Sequence, residues 1–260
     1  MLPEALRGLV DSPSVTAVLV DFDGSVSTIV DDPAAAAVLP DARAALGALA
    51  GRIALVGVVS GRPVEFLARA LELPELVLVG QYGLERSVDG EIVVDPQARP
   101  YLPAVAAAVA ELAEELPGLL IERKAGVAVT VHWRTTPERE DEAIALSERI
   151  AARHGLAIHP TRMARELRPP VPVDKGTAVE ALLDGCRAAC FAGDDRGDLD
   201  AFDALDRLRE RGELDTAVKI AVRSAEVPRE LLDRADVGVD GPPGLVAVLE
   251  ALVSELDGPR

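Results

Sequence analysis

Cysteine is nearly absent from this 260-residue sequence, with only Cys186 and Cys190 present. Two thiols cannot build a disulfide framework, so a reducing cytoplasm is the expected setting. Their apolar neighbourhood, EALLDGCRAACFAG, marks both as packing residues. Histidine is as scarce, three residues far apart, and gives no zinc signature. Aromatic residues make up 3% of the chain, which leaves little on which to stack nucleic-acid bases. Positive charge is in deficit: 27 Lys+Arg against 44 Asp+Glu give a net −17, spread along the chain. A surface of that sign repels nucleic acid and anionic lipid. Long apolar runs are missing too. Ile53–Val59 and Leu76–Val79 fall far short of the roughly 20 residues that span a bilayer. The opening MLPEALRGLVDSP has no basic flank followed by an apolar signal core. The expectation is a cytoplasmic protein, monomeric by default, with a small-molecule partner, no nucleic acid and no membrane.

What is present is an alternation of short apolar strands and Ala/Leu-rich helices. Val15–Val20, Ile53–Val59 and Leu76–Val79 form strands, separated by helices over Pro40–Ala50 and Pro63–Leu71, each with Pro in its first turn. The far end repeats the pattern, with strands Ala188–Ala192, Ala217–Val222 and Val237–Val239 between helices Thr177–Leu183, Asp200–Arg211, Pro228–Ala235 and Gly244–Leu256. Continuous apolar strands alternating with helices predict a parallel sheet covered on both faces. The middle differs: helix Leu102–Leu116, strands Leu119–Arg123 and Val127–Arg134, helix Pro137–His154, strands Leu156–His159 and Ala164–Arg168. This αββαββ order makes an α+β module, flanked by DPQARP and RPPVP. The fold class is therefore α/β: a doubly wound parallel-sheet core over 1–98 and 170–260, with an inserted α+β cap over 99–169.

Ligands of an open parallel sheet gather at the carboxyl ends of its strands. Four segments belong there: Asp21-Phe22-Asp23-Gly24-Ser25, Ser60-Gly61-Arg62, Lys175 in VDKGT, and Gly193-Asp194-Asp195-Arg196-Gly197-Asp198. Asp21, Asp23, Asp194 and Asp198 crowded at one rim repel one another unless a cation sits among them, and an all-oxygen set favours Mg²⁺. One carboxylate is then free to attack an electrophile such as a phosphoryl group. A Ser hydroxyl, a Lys ammonium and backbone amides near Gly24 suit phosphate oxygens. A carboxylate two residues on can protonate the leaving alkoxide and later deprotonate water. Singly, each segment also has a bland origin, as a turn, a helix cap or a solvated acidic loop. Their order along one sheet is the signal.

In that order the sequence resembles the haloacid dehalogenase superfamily, through DFDGS, SGR, the Lys of DKG and GDDRGDLDAF. Within it the chain is similar to the trehalose-6-phosphate phosphatase family from about Thr16 to Leu256, through GQYGLE, ERKAGVAVTVHWR, ELRPPVPVDKGTAV and GDDRGDLDAF. The resemblance implies a haloacid dehalogenase-like core and a Mg²⁺-dependent phosphatase that hydrolyses trehalose 6-phosphate through an aspartyl-phosphate. Asp21 corresponds to the nucleophile and a metal ligand. Asp23 corresponds to the general acid/base, giving its backbone carbonyl to the metal. Asp194 and Asp198 complete the metal site, while Ser60, Lys175 and Arg62 bind phosphate. Gly83, Glu122, Lys124 and Glu166 correspond to substrate-binding positions. Four positions depart from the family pattern: Ser25 replaces Thr, Trp133 changes the aromatic before Arg134, Tyr82 replaces His, and Gly197 replaces Thr. Two alternatives stay open at this point. One is a related capped phosphatase for another sugar phosphate, of sucrose-phosphate or glycosyl-phosphoglycerate type. The other is a non-catalytic sugar-phosphate-binding module, against which the Asp21–Asp23 pair argues.

Overall fold

The computed structural model describes residues 2–30, 35–161, 163–225 and 227–258. The chain divides into two compact units, Met1–Ile92 with Val173–Arg260, and Val93–Pro172. No helix among the described residues is long and apolar enough to cross a membrane.

The first unit begins with α1 (Gly8–Asp11), β1 (Thr16–Val20), α2 (Pro40–Ala50), β2 (Leu55–Val59), α3 (Val64–Leu71) and β3 (Val77–Gly80). A hairpin of β4 (Glu85–Val88) and β5 (Glu91–Val94) follows. After the second unit the chain returns with α6 (Lys175–Leu182), β10 (Ala188–Gly193), α7 (Asp198–Glu210), β11 (Thr216–Arg223), α8 (Arg229–Arg234), β12 (Val237–Asp240) and α9 (Gly241–Asp257). The sheet order is β12-β11-β10-β1-β2-β3-β4-β5, parallel from β12 through β3. β1 stands near the centre and all five of its residues are buried.

The period-2 alternation of these strands sorts side chains into two apolar layers. Val18, Val20, Val56, Val58, Cys190 and Ile220 pack with Leu46, Leu67 and Leu249 of α2, α3 and α9. Ala17, Leu19, Ala189, Phe191 and Ala221 pack with Val179, Phe202 and Leu231 of α6, α7 and α8. Both faces are thus covered, which is the doubly wound α/β core expected from continuous apolar strands. Burial pushes the Cys190 thiol up to about 12, as suits a packing residue.

The β4–β5 hairpin was not among the sequence expectations. β4 pairs antiparallel with β3 and lengthens the sheet edge. Both strands are four residues long and β4, ERSV, is polar, so hydropathy gives little sign of the pair. The turn residues Asp89-Gly90, both at positive φ, carry the signal that was available.

The second unit contains α4 (Leu102–Glu115), β6 (Leu120–Lys124), β7 (Ala128–His132), α5 (Glu140–His154), β8 (Ala157–Thr161) and β9 (Ala164–Arg168). Its four strands form an antiparallel sheet of order β6-β7-β9-β8. Val129, Val131 and Leu167 pack under Val105 and Leu112 of α4 and Ala143 and Ile150 of α5. Alternation therefore turns Glu122, Lys124, Thr130, His132 and Glu166 to the opposite face of the sheet.

Candidate active site

β1 and β10 are parallel neighbours, with Val20 opposite Ala192. Their carboxyl ends release Asp21 and Asp194 side by side, and the Asp21 N–H still donates to the Ala192 carbonyl at 2.8 Å. Lys175 reaches the same place because α6 starts there and not at Thr177. Asp174 accepts the Thr177 N–H at 2.7 Å and donates its own N–H to the Thr177 hydroxyl at 3.0 Å, a capping box that sets the first turn. The buried Lys175 Nζ then donates to Asp21 Oδ1 at 2.8 Å and to Asp198 Oδ1 at 2.6 Å. The second oxygen of Asp198 accepts the backbone N–H groups of Asp194 (2.9 Å) and Asp195 (3.0 Å). Asp198 thereby folds the fourth-motif loop around the lysine.

Carboxylate oxygens of Asp21, Asp194 and Asp198 lie within 4.8 Å of one another. Burial raises the Asp21 carboxyl, against the pull of Lys175, and Asp195 and Asp194 raise it further. Asp198 is raised for the same first reason, also against Lys175, with Asp21 adding repulsion. Asp194 is pushed up to about 7 by burial and by the charges of Asp198 and Asp195. Lys175 stands well above the usual lysine range: burial opposes its charge, but Asp198 and Asp21 outweigh that. Three carboxylates around one ammonium carry a net −2 when ionised, the charge that one divalent cation cancels. The donor set is all oxygen, and the residues present therefore fit Mg²⁺. The rim is close-fitting. At Gly24 (φ +72°) an added Cβ would lie 2.0 Å from Asp194 Oδ2, so the first-motif turn needs glycine on both steric counts.

Asp23 is placed differently from the other acids. Its carboxylate accepts two bonds from the Arg62 guanidinium, at 2.7 and 2.8 Å. The guanidinium lies 4.6 Å from the Phe66 ring centroid, and Phe66 meets Phe22 edge-on. Arg62, expected on phosphate, thus holds Asp23 here. Ser60 is buried at the end of β2, and its hydroxyl accepts the Arg62 N–H at 3.3 Å. Gly83 lies in the turn after β3, where an added Cβ would come 2.8 Å from Val173 Cγ1, against the segment leading into α6.

In the second unit the register sets Glu122, Thr130 and Glu166 in one cross-strand row. Glu166 is buried and accepts from Lys124 Nζ at 2.6 Å and from the Thr130 hydroxyl at 3.5 Å. Glu122, more exposed, is 2.8 Å from His132 Nε2. The structure therefore brings Lys124 and Glu166 together and gives Glu122 a different partner.

Two residues take positions for which the sequence reading assigned no role. His132 braces Glu122, and its alternation with Thr130 was the available signal. Glu85, the last residue of GQYGLE, is buried and accepts the Val64 N–H at 2.5 Å. It thus caps the start of α3, directly after the Ser60–Arg62 loop. Burial raises its carboxyl.

A family model for trehalose-phosphatase matches residues 19–233. The chain belongs to the trehalose-phosphatase family. A trehalose-phosphate phosphatase from Mycobacterium avium (strain 104) is 33% identical over 205 residues, 68% of this chain and 52% of that protein. The chain spans about half the length of the curated relatives it matches. Among solved structures, a trehalose-6-phosphate phosphatase related protein superposes with a TM-score of 0.73 at 25% identity, covering 92% of this chain and 97% of that one. The C-terminal domain of the Candida albicans trehalose-6-phosphate phosphatase shares the fold, with a TM-score of 0.73 at 22% identity and 96% coverage of both chains. The haloacid dehalogenase-like core read from the four motifs is thus borne out.

Proposed function

We propose that this protein is a Mg²⁺-dependent phosphatase that hydrolyses trehalose 6-phosphate to trehalose and phosphate. The observation that carries the reading is the buried Asp21–Lys175–Asp198 contact with Asp194 beside it, at adjoining strand ends of a trehalose-phosphatase family member. Asp21, Asp194, Asp198 and the Asp23 carbonyl would hold the ion, which when bound neutralises charge on the phosphoryl oxygens.

An Asp21 oxygen attacks phosphorus, the bond from phosphorus to the sugar oxygen breaks, and Asp23 protonates the departing alkoxide. Asp23 then takes a proton from water, whose oxygen attacks the aspartyl-phosphate. Phosphate leaves and Asp21 is regenerated. Lys175 holds the Asp21 carboxylate in place and balances charge as the phosphoryl group arrives. Ser60 and Arg62 bind the phosphate. For Asp23 to transfer a proton it must leave the Arg62 fork, so arrival of the phosphate and release of Asp23 are one exchange of partners on Arg62. Residues 99–169 act as the cap. Glu122, Lys124, Glu166 and Gly83 bind the sugar, whose hydroxyls suit charged groups making several hydrogen bonds.

The test is phosphate release from trehalose 6-phosphate, sucrose 6-phosphate, glucosyl-3-phosphoglycerate and glucose 6-phosphate, each with Mg²⁺ and after EDTA treatment. Turnover should be highest on trehalose 6-phosphate, vanish with EDTA and return with Mg²⁺. Preference for another ester would overturn the substrate, and full turnover after EDTA would overturn the metal.

A further inference from the structure

The turn after β3 is strained in an unusual way. Gln81 (φ 52°), Tyr82 (φ 58°) and Gly83 (φ 109°) form three successive positive-φ residues, of which only the last is glycine. Left-handed backbone costs energy at residues with a Cβ, and such residues persist where the surroundings fix them, often beside functional sites. Here the surroundings are the second-motif loop: the Gln81 N–H donates to the Arg62 carbonyl and the Tyr82 N–H to the Ser60 carbonyl, each at 3.0 Å.

That backbone throws the half-buried Tyr82 phenol across Gly61. A Cβ on Gly61 would stand 2.5 Å from Tyr82 Cζ and 2.6 Å from its hydroxyl, so the ring is seated only because residue 61 is glycine. A second glycine lies within contact distance of the ring. A Cβ on Gly197 would lie 3.8 Å from Tyr82 Cε1. Gly61 follows Ser60, and Gly197 precedes Asp198. The ring thus stands beside both loops that carry phosphate-binding and acidic groups, on a seat over Gly61 that any side chain there would fill.

We infer that Tyr82 is a specificity-determining residue, its phenol walling the phosphate site and taking the sugar ring esterified to the phosphate. An aromatic face with a polar tip matches a pyranose, which presents C–H groups on its faces and hydroxyls at its edge. The inference rests on the sugar-phosphatase reading and names a residue of this chain that selects the leaving group.

The test uses the full-length protein made inert by Asp21→Asn, with Mg²⁺ present, and measures calorimetric affinities for trehalose 6-phosphate, glucose 6-phosphate and inorganic phosphate. Tyr82→Gly is the variant of choice, because glycine adopts the left-handed backbone at little cost and the turn keeps its shape. Both sugar phosphates should weaken about ten-fold while inorganic phosphate changes less than about two-fold, a loss confined to ring contacts. Tyr82→Phe should keep most of the sugar affinity, and the melting temperature of Tyr82→Gly should be no lower than that of the inert parent. Equal weakening of sugar phosphates and inorganic phosphate, or no weakening of either, would overturn the assignment. Failure of the functional reading shows elsewhere: the parent with Asp21 intact would bind trehalose 6-phosphate and release no phosphate. A parent that binds neither ester nor phosphate overturns both.

Discussion

The two units set charged groups in opposite ways. In the first, Asp21, Asp198 and Lys175 are buried at the carboxyl ends of a parallel sheet, and the acids are raised chiefly by desolvation. In the second, Glu122, Lys124, His132 and Glu166 line one face of an antiparallel sheet, Lys124 pairing with Glu166 and His132 with Glu122. Strand topology brings the first set together: residues 154 positions apart in sequence meet because β1 and β10 are neighbours and α6 starts beside them. Strand register brings the second set together, through the row Glu122–Thr130–Glu166. The first arrangement concentrates charge on one point, as phosphoryl chemistry needs. The second spreads donors and acceptors over a surface, which suits the sugar recognition proposed for it.

The largest expected effect tests the first arrangement. Asp21→Asn keeps the size and the contact with Lys175 but removes the attacking charge. Turnover should fall by about 10³-fold or more, with the melting temperature held or raised, since one charge leaves a crowded buried site. Near-normal turnover in protein free of deamidated product would remove Asp21 from the nucleophile's role.

How much was legible in the sequence follows the same division. The rim residues sit in short contiguous motifs directly after apolar strands, so DFDGS, SGR and GDDRGD place Asp21, Ser60, Asp194 and Asp198 without any long-range knowledge. What those motifs do not encode is who pairs with whom. Arg62 carries a charge that suits phosphate, yet a bidentate carboxylate two residues after Asp21 claims it. Glu85 was visible only as a letter of GQYGLE, since its capping of Val64 depends on β4 turning back antiparallel beside β3. β4, ERSV, is too polar and short for a hydropathy reading, and β5, EIVV, is only four residues long. In the second unit the alternation of VAVTVHW gave the polar face, but the Lys124–Glu166 contact joins β6 to β9 across β7, spans 42 residues and has no local signature.

An intermediate effect tests the second arrangement. Glu166→Gln keeps shape while removing the charge that Lys124 and Thr130 address. For trehalose 6-phosphate, kcat/KM should drop by roughly 10²-fold, the scale of one or two charge-assisted hydrogen bonds. Hydrolysis of p-nitrophenyl phosphate, which offers no sugar, should change much less. Equal losses on both substrates would mean that Glu166 supports the second unit's fold and not its recognition of sugar, and the contrast between the two arrangements would lose its functional meaning.

The smallest effect asks whether ion pairs away from both sites matter at all. Glu111 on α4 bonds His154 of α5 at 2.9 Å and also pairs with Arg153, joining the two helices that cover the second unit's sheet. The hydrogen bond from His154 is the main reason its carboxyl is held below the ordinary 4.5; Arg153, His154 and Arg149 add to it through their charges. A carboxyl lowered by folding stabilises the native state above its unfolded value, and the contribution disappears as pH falls through the folded value. Glu111→Gln should therefore melt slightly below wild type at neutral pH, and the two should converge under acid, in the range below about 4.5 where the unfolded carboxyl is already protonated. Thermal melts at intervals from pH 7 to pH 3 measure this directly. A gap that stays constant across that range would show that Glu111 acts through packing of its methylenes between α4 and α5, with its charge contributing nothing that titrates.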